Sequence, residues 1–233
     1  MRYNLFIRLA VVFVVWWSDR PGPALAAGPA TRPAIVPASQ WGSRPQPIPE
    51  SRRHTPRFIT IHHAGVLWRG GDPQQFVRNM QVWGQREKNW PDLPYHFLIA
   101  PDGRIFEGRS LEYEPESNTR YELAGNIGVE MMGDFERQRP SRRQLESCAR
   151  LVAWLAQELK IPPEQIRGHK DVAPGQTTCP GRDFYRYLQD GQFRDWVRQI
   201  LDGEQPIIQP GPALQDGPTT SVSEADTKAS GDD

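Results

Sequence analysis

This chain has little cysteine, no excess of either charge and no apolar run long enough to span a membrane. Only two of its 233 residues are cysteine, too few for a disulfide-stabilised scaffold. Basic and acidic residues number 28 each, so the formal net charge is zero. That balance lacks the basic surface that nucleic-acid binding requires, and no nucleic-acid partner is expected. With 37% hydrophobic and 10% aromatic residues, the chain can still bury a core.

The N-terminus has the pattern of an export signal. Arg2 and Arg8 form a basic start, Leu9–Trp17 is an apolar run, and Ala24-Leu25-Ala26 resembles a small-residue cleavage site. The run is shorter than the ~20 residues that a membrane-spanning helix needs. Residues 1–26 are therefore predicted to be a signal peptide. The protein is expected to be exported (periplasmic, cell-wall-associated or secreted) with no stable membrane span after processing; an uncleaved N-terminal anchor is the alternative.

Two proline-rich stretches flank the part that is predicted to fold. Nine prolines fall within residues 21–56 without hydrophobic periodicity, so residues 27–56 are predicted to be a linker that merges into the domain near Trp41-Gly42. Residues 204–233 are rich in Pro, Gly, Ser, Thr and Asp and carry a net charge of −5, which is typical of a disordered acidic tail. A single domain is expected over residues 40–203.

Short strands are predicted at four places in that domain. Arg57–His62 and Asn126–Met132 are apolar runs typical of buried strands. Pro101-Asp102-Gly103 has the composition of a hairpin turn between Tyr95–Ala100 and Arg104–Glu107.

Three helices are predicted between and after these strands. Asp72-Pro73 combines a cap residue with proline at the first turn. Ser141 and Gln144 form a capping box before an amphipathic run that ends at Leu159. Phe193–Leu201 keeps helical spacing. Strands with helices on both sides predict an α/β domain, with a mixed central β-sheet flanked by helices.

Histidine and cysteine recur where strand or loop signals end. His62 ends the first predicted strand, while His169 and Cys179 lie ten residues apart in one loop. Three such ligands leave the fourth position of tetrahedral zinc open, which distinguishes catalytic from structural zinc. By spacing alone, a His and a Cys in a long loop are more often unrelated. A metal site and a chance arrangement therefore both stay open at this point.

Five segments then occur in a fixed order: Trp41–Arg44, Ile61–Ala64, Tyr95–Ile99 with Phe106–Arg109, Ile127–Glu130, and Gly168–Asp171 with Cys179–Gly181. Together they resemble the N-acetylmuramoyl-L-alanine amidases, a family that includes phage amidases and peptidoglycan recognition proteins. Each motif is weak alone, but the likeness runs in order from about Trp41 to Tyr187.

The resemblance implies a zinc ion held by His62, His169 and Cys179, with His63 packed beside the site rather than bound to the metal. It implies hydrolysis of the amide between the lactyl group of N-acetylmuramic acid and L-alanine, in peptidoglycan or muropeptides. The alternative is a peptidoglycan-binding recognition module without catalysis; such relatives typically lack the metal cysteine. A disulfide of Cys179 with Cys148 is a weaker alternative, because Cys148 lies on an apolar helix face where free cysteine is common.

Glu130, Tyr95 and Thr177 are the predicted catalytic residues. Strand alternation places Glu130 opposite Val129 and Met131, and a carboxylate in an apolar strand costs desolvation unless it is paired or used. Some branches of the family place a catalytic Glu in this strand. Others use a Tyr in the hairpin with a Lys or Thr two positions before the metal cysteine. Glu130 is expected to be the base, Tyr95 a donor to the oxyanion and Thr177 a weaker participant. The alternatives are a surface ion pair for Glu130 and simple packing for Tyr95.

Two segments depart from the recognition-protein pattern. Ser110–Gly125 is acidic and lacks the histidine of that pattern, and Asn89-Trp90 matches neither of the usual pairs linked to the peptide stem. The preferred stem is therefore not predicted. A metalloprotease helix with His-Glu-x-x-His is absent from the sequence. No internal repeat is found and nothing indicates an oligomer, so a monomer is expected.

Overall fold

A computed structural model describes residues 30–223, and the predicted signal peptide lies outside this range. Its strands are β1 (Ile35–Val36), β2 (Phe58–His63), β3 (Phe97–Ile99), β4 (Ile105–Glu107), β5 (Asn126–Met131) and β6 (Ile166–Gly168). They form one six-stranded sheet in the order β1-β4-β3-β5-β2-β6. The β3–β4 hairpin is antiparallel and the other neighbouring pairs are parallel. The predicted mixed sheet is confirmed.

The sheet is flanked by helices: α1 (Pro73–Glu87), α2 (Arg142–Glu158), α3 (His169–Val172), α4 (Arg182–Gln189) and α5 (Gln192–Leu201), with 3-10 turns at Glu50–Arg52 and Pro163–Gln165. The Asp72 side chain accepts a hydrogen bond from the Gln74 amide and starts α1, and the capping box of Ser141 and Gln144 is closed at the start of α2. No helix in the described part of the chain is long and apolar enough to cross a membrane.

The two faces of the sheet have different characters because strand side chains alternate. Phe97 pairs with Val129, and the Phe97 ring contacts Trp154 of α2, so this face packs against the helix α2. The opposite face carries His62 and Glu130, which pair with each other across β2 and β5. Hydrophobic residues on the α2 face build the core, and the other face is left to position polar groups.

The segment before β2 packs against the domain from residue 30 onward, whereas the linker predicted for residues 27–56 is expected to merge into the domain only near Trp41-Gly42. Ile35 and Val36 pair in parallel with β4. Trp41 is fully buried, and its indole Nε1 donates to the Glu107 carbonyl over 2.7 Å. A strand of two residues creates no periodicity, so the proline-rich composition concealed β1, whereas Trp41 lies where the linker is expected to enter the domain.

Residues 204–223 also lie against the domain, whereas a disordered tail is predicted from residue 204 onward. The Arg139 amide donates to the Thr220 carbonyl over 2.8 Å, and the Val222 amide donates to the Arg139 carbonyl over 3.0 Å. Ile208 is 2% exposed and Val222 is fully buried. Two widely spaced apolar anchors in a polar segment give no sequence signal. Residues 224–233 lie outside the described range.

Candidate functional site

The candidate site lies where three neighbouring parallel strands end. β5, β2 and β6 are adjacent, and their carboxyl ends lie side by side at the same end of the sheet. His62 is near the end of β2, and His169 follows β6 directly as the first residue of α3. Crevices at the carboxyl ends of parallel strands are common ligand sites. The fold therefore brings together residues that are more than 100 positions apart in the sequence.

His62, His169 and Cys179 form a cluster that could hold a metal ion. Their potential ligand atoms all lie within 4.8 Å of one another, and all three residues are buried. The Cys179 Sγ is 3.7 Å from the His62 Nδ1, and the two imidazole centroids are 4.5 Å apart. Tetrahedral zinc with bonds of about 2.0 Å to nitrogen and 2.3 Å to sulfur places those two ligands about 3.5 Å apart. The His62–Cys179 separation fits a shared ion.

The protonation of this cluster also suits a metal. Burial lowers the pKa of His62 well below its usual value, with a further contribution from His169, and burial lowers the pKa of His169 to about 4. Both imidazoles are therefore neutral near pH 7 and keep a lone pair for coordination. Burial raises the pKa of the Cys179 thiol. A bound cation reverses that effect, because a coordinating thiol is deprotonated.

Backbone contacts hold Cys179 in position. Its amide donates to the Thr177 Oγ1 over 3.0 Å, and its carbonyl accepts from the Lys170 amide over 2.8 Å. The His63 amide donates to the Cys179 Sγ over 3.3 Å. These bonds fold the loop back onto α3. Both cysteines are free thiols, so the disulfide alternative with Cys148 is excluded.

His63 lies beside the cluster and is not part of it. Its Nδ1 accepts a hydrogen bond from the Phe135 amide over 3.0 Å, and it is 3.8 Å from the Asp134 carboxylate. Burial lowers the pKa of His63 to about 4, although Asp134 acts in the opposite direction. This geometry agrees with the expectation of a packed neighbour.

Glu130 is a fully buried carboxyl group without a hydrogen-bond partner among residues 30–223. Neither of its carboxylate oxygens is paired with any of the described residues, so the surface ion pair considered above is absent from this range. Burial alone raises its pKa well above the usual value. An isolated buried carboxyl costs several kcal/mol, and strongly perturbed acids cluster at functional sites. Glu130 is therefore a candidate catalytic group.

Tyr95 lines the cleft beside His62. The centroids of the two rings are 4.9 Å apart, and the half-buried Tyr95 forms part of the cleft wall. A Cβ atom on Gly128 would come within 3.2 Å of the Tyr95 ring, so the glycine leaves room for the tyrosine over β5. Burial, and then the nearby Cys179 and Glu130, raise the pKa of Tyr95 well above its usual value. Its hydroxyl keeps a proton to donate.

The cleft above these residues has a volume of about 320 Å³. Its lining includes Trp90, Pro94 and Tyr95, together with Gln176 and Thr177 of the metal loop. Residues 116–119 line it as well: Glu116, Ser117, Asn118 and Thr119. The lining therefore combines aromatic rings with hydroxyl, amide and carboxyl groups.

The contribution of residues 116–119 to the lining was missed by the sequence reasoning. The Thr119 Oγ1 lies 2.6 Å from the His169 Nε2, inside the acidic stretch that departs from the recognition-protein pattern. Two histidines accept hydrogen bonds from the backbone of neighbouring segments. The His54 Nδ1 accepts from the Gly125 amide, and the His96 Nδ1 accepts from the Gly128 amide, each over 2.9 Å. Isolated histidines and threonines carry no sequence signal for such bonds.

Comparisons of the sequence identify a family. Residues 52–182, more than half of the chain, match the family described as N-acetylmuramoyl-L-alanine amidase. Peptidoglycan recognition protein 1 of Mus musculus is 30% identical over 158 residues, covering 66% of this chain and 86% of the relative. The Rattus norvegicus protein of the same name is 28% identical over 172 residues, covering 72% of this chain and 93% of the relative.

Solved structures agree with this result. Human PGRP-IβC, in complex with glycosamyl muramyl pentapeptide, has a TM-score of 0.60 at 27% identity, covering 68% of this chain and 96% of that one. The N-acetylmuramoyl-L-alanine amidase LysC of Clostridium intestinale has a TM-score of 0.55 at 25% identity, covering 69% and 97%. Its relatives thus include both recognition proteins and an amidase. By sequence and by fold, this chain belongs to the N-acetylmuramoyl-L-alanine amidase family.

Proposed function

We propose that the protein is a zinc-dependent N-acetylmuramoyl-L-alanine amidase, which hydrolyses the amide between the lactyl group and L-alanine in peptidoglycan or muropeptides. The observation that supports this most is the burial of three metal-ligating side chains next to an unpartnered carboxyl. His62 and Glu130 pair across neighbouring strands, and His169 and Cys179 complete the donor set. A purely structural role explains neither the buried donors nor the orphaned acid.

Zinc is the metal that the donors favour. Two neutral imidazoles and one thiolate suit a borderline-soft ion with tetrahedral geometry. Three protein ligands leave one position for water or substrate. When bound, zinc supplies Lewis acidity that polarises a carbonyl group and lowers the pKa of water.

Glu130 is proposed as the general base and then the general acid. One of its carboxylate oxygens takes a proton from the attacking water as the new carbon–oxygen bond forms. The same proton then passes to the amide nitrogen of L-alanine as the carbon–nitrogen bond breaks, so the peptide leaves as a free amine. An acid with a raised pKa is suited to both steps near neutral pH.

Tyr95 and Thr177 are proposed to assist. The Tyr95 hydroxyl, kept protonated by its raised pKa, donates to the carbonyl oxygen as negative charge develops there. The Thr177 oxygen already accepts from the Cys179 amide, so its main part is to fix the metal loop. Its own hydroxyl proton remains free to donate into the cleft, which makes it the weaker participant.

The rival function is recognition of peptidoglycan without cleavage. The relatives named peptidoglycan recognition protein favour binding, and the human structure with a muramyl pentapeptide supports a muropeptide as the ligand. The amidase proposal is favoured because Cys179 is present within the donor cluster and because Glu130 is buried with no hydrogen-bond partner in the described part of the chain. Export of the protein is part of the proposal and is supported by the pattern of residues 1–26.

The test uses the full-length chain and a defined muropeptide, with products followed by mass spectrometry. Release of an intact peptide that begins with L-alanine is expected from the zinc-loaded protein. Chelation should abolish that release, and added zinc should restore it. Zinc-loaded protein that binds the muropeptide but releases no peptide would overturn the amidase proposal and leave the recognition module.

A further inference from the structure

The second nitrogen of His169 has a partner of its own. The His169 Nε2 lies 2.6 Å from the Thr119 Oγ1 and 3.4 Å from the Ser117 Oγ. A nitrogen engaged in this way is not free to bind a metal. If His169 contributes to the cluster with His62 and Cys179, the nitrogen available for that purpose is Nδ1.

The proton on this imidazole decides whether Nδ1 can coordinate. A neutral histidine carries one ring proton, and the other nitrogen keeps its lone pair. If Nε2 holds the proton, it donates to Thr119 and leaves the Nδ1 lone pair for the metal. If Thr119 donates to Nε2 instead, Nδ1 carries the proton and cannot bind.

The hydrogen bonds of the neighbouring hydroxyls are consistent with the first arrangement. The Thr119 Oγ1 is 2.9 Å from the Ser117 Oγ, and the Ser117 Oγ also accepts from the Thr119 amide over 3.1 Å. Thr119 can therefore accept from His169 and donate its own hydroxyl proton to Ser117. Ser117 itself lines the cleft.

We propose that Thr119 is a positioning residue for the metal centre: its hydroxyl accepts the Nε2 proton of His169 and holds the imidazole in the tautomer and orientation that present Nδ1 to zinc. This inference rests on the proposed metal site, and it assigns a role within a segment that departs from the recognition-protein pattern. Hydrogen-bond partners of metal-ligating histidines commonly fix both tautomer and ring orientation.

The segment that carries Thr119 is held from both sides. The Arg120 amide donates to the Gln176 Oε1 over 2.8 Å, and the Gln176 Nε2 donates to the Arg120 carbonyl over 2.9 Å, which ties it to the metal loop. On the other side, Glu116 pairs with the buried Arg109 over 3.2 Å. A hydroxyl fixed in this way can hold the imidazole of His169 in one orientation, so that little entropy is lost on metal binding.

The test compares Thr119→Val, Thr119→Ser and Thr55→Val in the full-length protein. Valine keeps the shape of threonine but removes the acceptor, serine retains the hydroxyl, and Thr55 is an exposed threonine outside the site that serves as the matched control. Zinc affinity is measured by competition with a chelating dye. Thr119→Val should weaken zinc binding by about 10–100-fold, while the serine and control variants should stay close to the wild type.

A second measurement reads the tautomer directly and does not depend on the valine variant folding. The ¹⁵N chemical shifts of His169 in zinc-free wild-type protein should report the Nε2-protonated form, and Thr119→Ser should keep it. Wild-type His169 protonated on Nδ1, or a folded Thr119→Val protein that binds zinc as tightly as Thr119→Ser, would overturn the inference. Failure of the proposed amidase is separate: zinc affinity would still depend on Thr119, but no muropeptide would be cleaved.

Discussion

His62 and Glu130 lie opposite each other on neighbouring parallel strands, with both side chains on the same face of the sheet. Adjacent strands are ~4.8 Å apart, so the backbone of the sheet sets the distance between a candidate metal ligand and a candidate base. Sites built on strands are held more accurately than sites built on loops. The relationship makes Glu130 the first residue to test.

Replacing Glu130 with glutamine should abolish most of the proposed activity without loss of zinc. The substitution keeps the size of the side chain but removes the group that accepts the proton, and general acid–base catalysis contributes about 10²–10⁴-fold to the rate. Turnover of a muropeptide and zinc content are measured together. Glu146→Gln, which removes a partly exposed carboxylate paired with Arg142 on α2, is the matched control. Full turnover by Glu130→Gln would exclude Glu130 as the base.

Replacing each of the two buried cysteines with alanine should have different effects on zinc binding. Cys179→Ala removes one of three clustered donors and should abolish stoichiometric zinc binding. Cys148→Ala, on the core side of α2, should keep its zinc and lose only about 1–2 kcal/mol of unfolding free energy. Zinc content and urea unfolding check both. Loss of zinc from Cys148→Ala with the fold intact would contradict the proposed ligand set.

His96 should make the fold sensitive to acid. Burial, opposed in part by its backbone hydrogen bonds, lowers its pKa to about 3 in the folded chain, compared with about 6.5 when unfolded. The stability that comes from the neutral imidazole is therefore fully present above pH 6.5 and is lost as the pH falls toward 3. Between pH 7 and pH 5 the wild type should lose about 2 kcal/mol more unfolding free energy than His96→Gln.

Urea unfolding at the two pH values, with chelator present so that metal release makes no contribution, measures this difference. His54, His62, His63 and His169 have lowered pKa values too and add to the loss in both proteins. Equal losses in the wild type and in His96→Gln would show that His96 is not the buried neutral group described above.

Replacing Arg109 with lysine should lower the stability of the fold although the charge is kept. Its guanidinium is buried and donates to the carbonyls of Leu93 and Glu114, each over 2.8 Å, in addition to its pair with Glu116. Lysine cannot reproduce this fork of donors, so Arg109→Lys should lower the unfolding free energy by about 2–4 kcal/mol. Arg104→Lys, at an exposed pair with Asp102, should change it by less than about 1 kcal/mol. Similar values for both variants would contradict the structural role of Arg109.

Two adjacent isoleucines test the packing of the C-terminal segment. Ile208 is 2% exposed and Ile207 is 81% exposed. Ile208→Ala should lower the unfolding free energy by about 2–4 kcal/mol because it empties a buried site, whereas Ile207→Ala should leave it nearly unchanged. Thermal or urea unfolding measures both. No effect at Ile208 would show that residues after 203 do not pack as described.

Elements with strong local signals could be predicted from the sequence. The cap at Asp72, the capping box at Ser141 and the turn at Pro101–Gly103 each determine structure through neighbours a few residues away. β1 and β6 were missed because strands of two or three residues are too short to show a period, and neither has a hairpin turn beside it like the one that revealed the equally short β3 and β4. The eight-residue helix α4 was missed for a similar reason.

Only the site residues that belong to sequence motifs could be predicted. His62, His169 and Cys179 converge as the resemblance implies, and the proposed roles of Glu130 and Tyr95 remain to be tested. The contact between Thr119 and His169 was out of reach, because it joins positions 50 residues apart through a single hydroxyl. Such a bond depends on the path of a loop, which no local pattern determines.

The two edge strands of the sheet, β1 and β6, are short, with two and three residues. Pro37 follows β1 directly, and α3 begins immediately after β6. An edge of this length offers only one or two free backbone groups to a second chain, and proline removes a further donor. A second chain therefore finds almost no free strand to pair with at either edge. The folded protein should resist aggregation through intermolecular β-sheets at high local concentration.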